Sequence, residues 1–422
     1  MPKEYLPRIV DALLGDYMEA FGAVQIRGPK WCGKTTTAEQ RAKSVLKMQD
    51  PDRAAEYRRL ADFLPSRLLE GETPRLIDEW QTAPVLWDAV RTAVDARDEP
   101  GQFILTGSSV ADSDAVMHTG TGRISTLSMY PMSLFESKES NGTVSLKELF
   151  EAPERFEGAR SQLTVQGLAH AICRGGWPAS LRRNPAASLL IARSYVDTIC
   201  ESDASRVDDV SRRPQRVRAL LRSYARNLST LAANTTILAD VKANDEEMTE
   251  PTLYSYLAAL KRLYVIDDVP AWSPSIRSVH AMRATTKKEF VDPSIATAAL
   301  GLSPDILLGD PATLGFVFEC LCIRDLRVLS TAFGGSVSYY HDRSGLECDA
   351  VLHRSDGTYA LIEMKLGSRE IEEGASHLLR LADLLKENGL KAPSSLLVLT
   401  GGEFGYRTKD GISVVPIGCL RD

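Results

Sequence analysis

The segment Gly28-Pro29-Lys30-Trp31-Cys32-Gly33-Lys34-Thr35 constrains this chain more than any other, because it spaces two glycines, a lysine and a hydroxyl as G-x-x-x-x-G-K-[ST]. A short apolar run, Ala23 to Ile26, precedes it, and a helix-compatible stretch beginning Thr36-Thr37-Ala38-Glu39 follows. A strand feeding such a loop into a helix turns successive backbone N–H groups toward one point, and the helix dipole adds to their attraction for an anion. Gly28 and Gly33 let the backbone wrap phosphates, Lys34 reaches the β- and γ-phosphates of a nucleotide, and the Thr35 hydroxyl ligates magnesium. Pro29, Lys30, Trp31 and Cys32 fill the variable positions and contribute main chain rather than side-chain chemistry, and Thr36 completes the cradle.

Phosphoryl transfer also needs acids on a neighbouring strand. Arg75-Leu76-Ile77-Asp78-Glu79-Trp80 supplies them: Asp78 would hold the magnesium through water, and Glu79 would orient and deprotonate the attacking water. The alternative for an Asp-Glu pair at a strand end is a cap for the next helix. A third apolar run, Phe103 to Leu105, ends in the hydroxyls Thr106, Ser108 and Ser109, which either sense the γ-phosphate and position water or, at Ser109, cap a helix. Short apolar runs separated by helical periodicity, as in Pro84 to Ala96, imply an α/β unit with a mostly parallel sheet.

With 422 residues the chain exceeds one small domain. Its 44% apolar and 25% charged residues exclude a disordered or fibrous chain, and a net charge of −6 excludes a polycation that coats nucleic acid. Seven cysteines without repeated C-x-x-C spacing read as reduced thiols, neither a disulfide framework nor a zinc ribbon. No stretch approaches the roughly 20 apolar residues that span a bilayer, and the first residues break every apolar run with a charge or a proline, so the expectation is a cytoplasmic protein with no membrane partner. After a polar break at 136–148 the pattern is almost wholly helical to about Ala233, and 235–272 reads helix, turn, helix, strand, the outline of a winged helix. Between 205 and 290, 14 Lys or Arg stand against 10 Asp or Glu, and Arg218, Arg222 and Arg226 share one helical face with Arg212 and Arg216 a turn away. That stripe is either phosphate-contacting or a solvated face paired with acids; Glu246, Glu247 and Glu250 crowd the start of the recognition helix and disfavour base readout.

The last third returns to α/β alternation. Ser355-Asp356-Gly357 reads as a turn between two strands, and centring the hairpin on Asp356 sets Asp349 opposite Glu363 and Glu347 opposite Lys365, all on one face. Cys348, Ala350, Leu352, Ala360, Ile362 and Met364 then form an apolar opposite face. Carboxylates directly across a ladder repel unless a cation lies between them, and Mg²⁺ or Mn²⁺ suits oxygen ligands. A metal on Asp349 and Glu363, with Lys365 to polarise water or steady a phosphate, is the chemistry of metal-assisted phosphodiester hydrolysis. The alternatives are a Glu347–Lys365 surface pair beside two solvated acids, and a folded but inactive domain.

Read in order, Gly28 to Thr36, Leu76 to Gln81, Phe103 to Ser109, Gly122 to Glu136 and Arg174 to Ser180 resemble the prokaryotic AAA+-type P-loop ATPases that carry an uncharacterised C-terminal domain with a nuclease-like core. The resemblance spans nearly the whole chain. It implies ATP as the nucleotide, and Arg123 of the Gly-Arg pair as a candidate arginine finger or sensor. The C-terminal order resembles the PD-(D/E)xK nuclease superfamily, which implies Glu319 as the acid of the first helix; Cys348 stands where that superfamily has a proline before Asp349. The expected organisation is a P-loop AAA+-like ATPase core over 1–160, a helical lid over 161–215, a winged-helix-like domain over 216–291 and a restriction-endonuclease-like α/β domain over 292–422. The function it implies is ATP hydrolysis coupled to a metal-dependent nuclease-like domain acting on DNA or RNA, with further copies of the chain as partners. The other reading is an ATP switch whose C-terminal domain only binds nucleic acid or a protein.

Overall fold

The computed structural model describes residues 5–107, 120–208, 210–243, 247–273, 285–342 and 345–422. The chain forms two compact units, one of Met1–Tyr130 with Ser205–Val210 and Arg262–Tyr264, the other of Pro131–Ala204, Ser211–Lys261 and Val265–Asp422.

The first unit is built on β1 (Ala23–Arg27), β2 (Ser44–Lys47), β3 (Arg75–Asp78), β4 (Phe103–Gly107) and β5 (Ile124–Ser128), all parallel in the order β2-β3-β4-β1-β5. Side chains alternate across a strand, so each strand feeds two cores. Val24, Ile26, Leu76 and Ile104 pack with Leu14 and Met18 of α1 (Val10–Ala20) and Ala38 of α2 (Lys34–Glu39). Ile77, Phe103 and Leu105 pack on the other face with Tyr57 of α3 (Ala54–Phe63) and Leu86, Trp87 and Val90 of α4 (Val85–Arg97). Strand β4 lies between β1 and β3, so the strand bearing Thr106 stands between the phosphate loop and Asp78.

In the second unit, β6 (Val144–Ser145) pairs in parallel with β14 (Leu420–Arg421). A mixed sheet runs β7 (Gly158–Arg160), β12 (Phe404–Arg407), β13 (Ser413–Pro416), β11 (Ser395–Thr400), β10 (Tyr359–Lys365), β9 (Glu347–His353), β8 (Ser336–His341). Helices α5 (Val165–Arg174), α6 (Pro185–Thr198), α7 (Pro214–Arg226), α8 (Asn234–Lys242) and α9 (Glu250–Arg262) precede α10 (Pro293–Leu300) and α11 (Pro311–Ser330). After α9, isolated antiparallel bridges join Ile266 to Phe290 and Val269 to Lys287. Helix α11 packs on β8, β9 and β10, and α12 (Ile371–Glu387) covers Val351, Leu361, Val398 and Val414 with Leu378, Leu381 and Leu385.

The segments Pro131-Met132 and Arg174-Gly175-Gly176-Trp177 meet within this unit at a fully buried ion network. Arg324 donates to Asp292 at 3.0 Å and to Asp325 at 2.7 Å, and all three side chains are at most 2% exposed. Asp292 also accepts from the Gly176 amide at 2.9 Å, and Asp325 from the Leu134 amide at 3.0 Å. Met132 N–H donates to Gly176 O at 2.7 Å, and a Cβ on Gly176 would stand 2.2 Å from Met132 O, so only glycine permits this approach. Asp292→Ala leaves a buried guanidinium short of a counter-charge, which typically costs about 3–5 kcal/mol. Chemical denaturation should show that loss in the unfolding of the second unit; a variant as stable as the parent would remove the network from any structural role.

Candidate functional site

The phosphate loop has the backbone its sequence demands. Gly28 and Gly33 take φ of 153° and 105°, and a Cβ at Gly28 would lie 2.0 Å from Met129 O. Trp31 takes φ 66° and is 47% exposed, while Cys32 is buried in the core beneath the loop. Lys34, buried, turns its ammonium onto the loop itself, donating to Gly28 O at 2.9 Å and Pro29 O at 2.7 Å. The Thr35 and Thr106 hydroxyls both donate to Oδ1 of Asp78, at 2.7 and 2.6 Å. Thr36 opens to solvent on α2, and its carbonyl accepts from Gln40 at 3.1 Å. Lys34, Thr35, Asp78 and Thr106 are thus brought together from α2, β3 and β4, at the C-terminal ends of the parallel strands where such sheets bind ligands.

Glu79 does not cap a helix in the ordinary way. It takes a left-handed φ of 57° at the end of β3 and its side chain accepts from Gln81 Nε2, while its carbonyl accepts from Thr82 at 2.9 Å. Ser108 and Ser109 lie outside the described residues. These donors fit a nucleotide and a magnesium ion: the lysine has only main-chain carbonyls to exchange for phosphate oxygens, and a hydroxyl and a carboxylate already converge beside it.

Arg123 stands away from the phosphate loop of its own chain. Its carbonyl accepts from Ala23 N–H at 3.0 Å, at the start of β1, so the five residues of that strand, about 16 Å at the usual rise, separate it from the loop. Its guanidinium pairs with Asp95 at 2.7 Å. Because β5 runs parallel to β1, Arg123 lies at the end of the sheet opposite the loop.

A residue that sequence reasoning missed holds the loop in place. Arg8, 7% exposed, donates through Nη1 to Cys32 O and through Nη2 to Tyr130 O, each at 2.8 Å. Its backbone N–H donates to Asp11 at 2.8 Å, and Asp11 in turn accepts from Tyr5 at 2.6 Å. One guanidinium thereby ties the loop to the end of β5, and no local pattern marks it.

In the second unit the hairpin register is the one expected: Tyr359 faces His353, Ala360 Leu352, Leu361 Val351 and Ile362 Ala350, so its continuation brings Glu363 level with Asp349. Lys365 pairs with Glu363 at 2.7 Å and Asp349 at 3.5 Å rather than with Glu347. Glu319 of α11 comes to the same place, but Lys287 stands between it and Asp349, in contact with Glu319 and 3.8 Å from Asp349. Asp349 also accepts from the Met364 amide at 2.8 Å. Burial raises Glu319 above the ordinary carboxylate range, with Lys287 opposing the rise and Asp349 adding to it, and burial and Asp349 raise Glu363 against the pull of Lys365. Among the described residues Glu363 Oε1, buried, has no hydrogen-bond partner. Among the described residues no group of three His, Cys, Asp or Glu side chains is arranged to hold a metal. As placed, these acids do not fit a divalent ion, because two ammonium groups already neutralise them.

Four arginines on or just before α7 are likewise paired with acids. Arg218 meets Asp197 at 2.8 Å and Glu201 at 3.4 Å, Arg226 meets Asp240 at 3.9 Å, and Arg213 and Arg216 meet Glu247 at 3.1 and 3.0 Å. Arg212 is buried against Ala204 O at 2.6 Å and Ser255. No described helix is long and apolar enough to cross a membrane.

Residues 20–138 match the family model of an AAA domain. This part of the chain is a P-loop AAA-type ATPase domain. Residues 165–306 and 314–420 match two domains of unknown function, DUF8612 and DUF4143. No curated protein sequence matches the chain. Among solved structures, a Walker-type ATPase of Pyrococcus abyssi is 16% identical over 71% of this chain and 97% of that one, with a TM-score of 0.45. A RuvB variant of Thermotoga maritima is 15% identical over 62% of this chain and 88% of that one, at a TM-score of 0.25. The Drosophila ORC bound to DNA is 14% identical over 66% of this chain and 89% of that one, at 0.21.

Arg8 gives the ATPase domain a test that the loop motif does not. Arg8→Lys keeps the charge but cannot span two carbonyls with a planar fork, so ATP affinity should fall about tenfold, the worth of one charge-assisted hydrogen bond. Calorimetric titration reads it. A lowered melting temperature with unchanged affinity would leave Arg8 a stabilising role alone.

Proposed function

We propose that the ATPase domain binds ATP with magnesium and hydrolyses it, and that the second unit is the part that engages nucleic acid or a protein partner. The observation that carries the first half is the convergence of Thr35 and Thr106 on one oxygen of Asp78 beside the loop that bears Lys34. Thr35 and Asp78 would hold the magnesium, which neutralises phosphate charge when bound. Lys34 would exchange its two carbonyl acceptors for phosphate oxygens and stabilise the charge that develops on them. Glu79, held at its left-handed turn and bonded by Gln81, would take the proton of the attacking water. Thr106, on the strand between, would register which nucleotide is present. Arg123 could contribute only to the site of a neighbouring copy in a homo-oligomer.

For the second unit, metal-dependent phosphodiester hydrolysis in a restriction-endonuclease-like fold would require Glu319, Asp349 and Glu363 to hold a metal and Lys365 to steady a phosphate. The hairpin register and the unpartnered Glu363 oxygen favour it; the ion pairs of Lys287 and Lys365 speak against it. The unit is therefore read as a binding domain whose state follows the nucleotide.

Two variants and one assay test this function. Lys34→Ala should abolish ATP binding, and Glu79→Gln should keep binding while turnover drops by about 10²–10⁴; wild-type hydrolysis by the glutamine variant would take the base role from Glu79. Incubation with DNA and RNA in Mg²⁺ or Mn²⁺ should leave the substrates intact, and cleavage lost on Lys365→Ala would replace the binding reading with the hydrolytic one.

A further inference from the structure

We infer that Lys287 is the resident cation of the acid cluster, its ammonium filling the position between Glu319 and Asp349 that a divalent ion would otherwise take. The inference deepens the binding-domain reading of the second unit and rests on it; ATP hydrolysis in the first unit is not involved.

The charges decide the matter first. Glu319, Asp349 and Glu363 are drawn together by α11 and by the β9–β10 register, and carboxylates this close are destabilising unless a positive charge intervenes. Lys365, two residues along β10 from Glu363, meets Glu363 and Asp349 and leaves Glu319 unserved. Lys287 supplies the missing charge. Its ammonium contacts Glu319 Oε1, lies 3.8 Å from Asp349 Oδ1 and donates to Asp349 O at 3.4 Å. The ammonium bonds two oxygens and pairs with a third at 3.8 Å, the kind of oxygen set that a hard divalent cation takes.

Lys287 is also anchored where it stands. Its N–H and C=O both bond Val269, at 3.0 Å each, and it is 8% exposed. On one side Thr286 donates to Asp268 at 3.1 Å, and before it Thr285 O accepts from Tyr339 of β8. Trp272 N–H and Tyr339 N–H close the other edge, bonding Tyr339 O at 2.6 Å and Pro270 O at 3.0 Å. The side chain enters the cluster from a fixed backbone, so a metal could enter only by driving a buried ammonium out of its pairing, and an unpaired buried charge is strongly unfavourable.

The test uses the full chain without nucleotide, so that the phosphate loop takes up little metal, and Mn²⁺ alone as the probe. Manganese binding is followed by electron paramagnetic resonance, and melting is followed in parallel with Mg²⁺ and Mn²⁺. Wild type and Asp349→Asn should bind Mn²⁺ equally, and neither should melt higher with metal. Lys287→Met, which keeps an unbranched apolar stem one atom shorter and removes the charge, should gain about one bound Mn²⁺ per chain at the freed oxygen site, and adding Asp349→Asn to it should erase the gain. Lys287→Gln serves if the methionine variant does not fold, and the wild-type comparison stands without either.

Wild-type Mn²⁺ binding that Asp349→Asn abolishes would overturn the inference, as would a folded Lys287→Met or Lys287→Gln protein that binds no more than wild type. The same samples incubated with DNA and RNA separate the two readings. Cleavage by wild type that needs Asp349 overturns both. Cleavage by Lys287→Met alone supports the resident cation and leaves wild type a non-cutting domain. Intact substrates together with a folded Lys287 variant that binds no extra metal overturn the resident cation and leave the non-cutting reading standing.

Discussion

A cation taken out of water must be met by oxygens wherever it lands, and this constraint shapes both units. Lys34 folds onto the carbonyls of its own loop, Arg8 onto Cys32 and Tyr130, Arg324 onto Asp292 and Asp325, and Lys287 onto Glu319 and Asp349. The acceptors differ in kind, and the difference separates a poised site from a finished one. Main-chain carbonyls are dipoles that Lys34 can leave for a phosphate with a net gain. Carboxylates carry full charge, so Arg324 and Lys287 leave theirs only at a large cost.

What was legible in the sequence was local. The phosphate loop, the acids ending β3 and the hydroxyl ending β4 each lie within a few residues of the turn that positions them, and the β9–β10 register follows from side-chain alternation about one turn. What was not legible depends on partners far along the chain. Arg8 meets Tyr130 and Lys287 meets Glu319 and Asp349, and no spacing rule links such positions. The place of Arg123 is not legible for a related reason: it depends on which end of β5 lies beside the loop, which only the parallel pairing with β1 reveals. The arginines of α7 were correctly seen to share a face, but their acids come from α6, α8 and Glu247.

The Gly-Gly-Trp-Pro segment shows how a specific sequence pattern can arise without a ligand. Gly175 takes φ 75°, Gly176 admits the Met132 backbone, and Trp177 is fully buried with its indole N–H on Ser294 at 2.9 Å. Each residue type is dictated by close backbone approach or by a buried donor that needs an acceptor. The pattern therefore marks a joint of the fold, and its chemistry is that of packing.

The exposed ring of Trp31 has an optical consequence. It sits at a left-handed position in the phosphate loop, whereas Trp80, Trp87 and Trp177 are buried at 2%, 7% and 0% exposure and Trp272 is half-buried. Solvent quenchers reach an exposed indole far more readily than enclosed ones, so the quenchable part of the emission comes largely from the loop that would close around phosphates. The chain thus carries a native fluorophore at the point where occupancy changes, and loop closure can be timed without attaching a label.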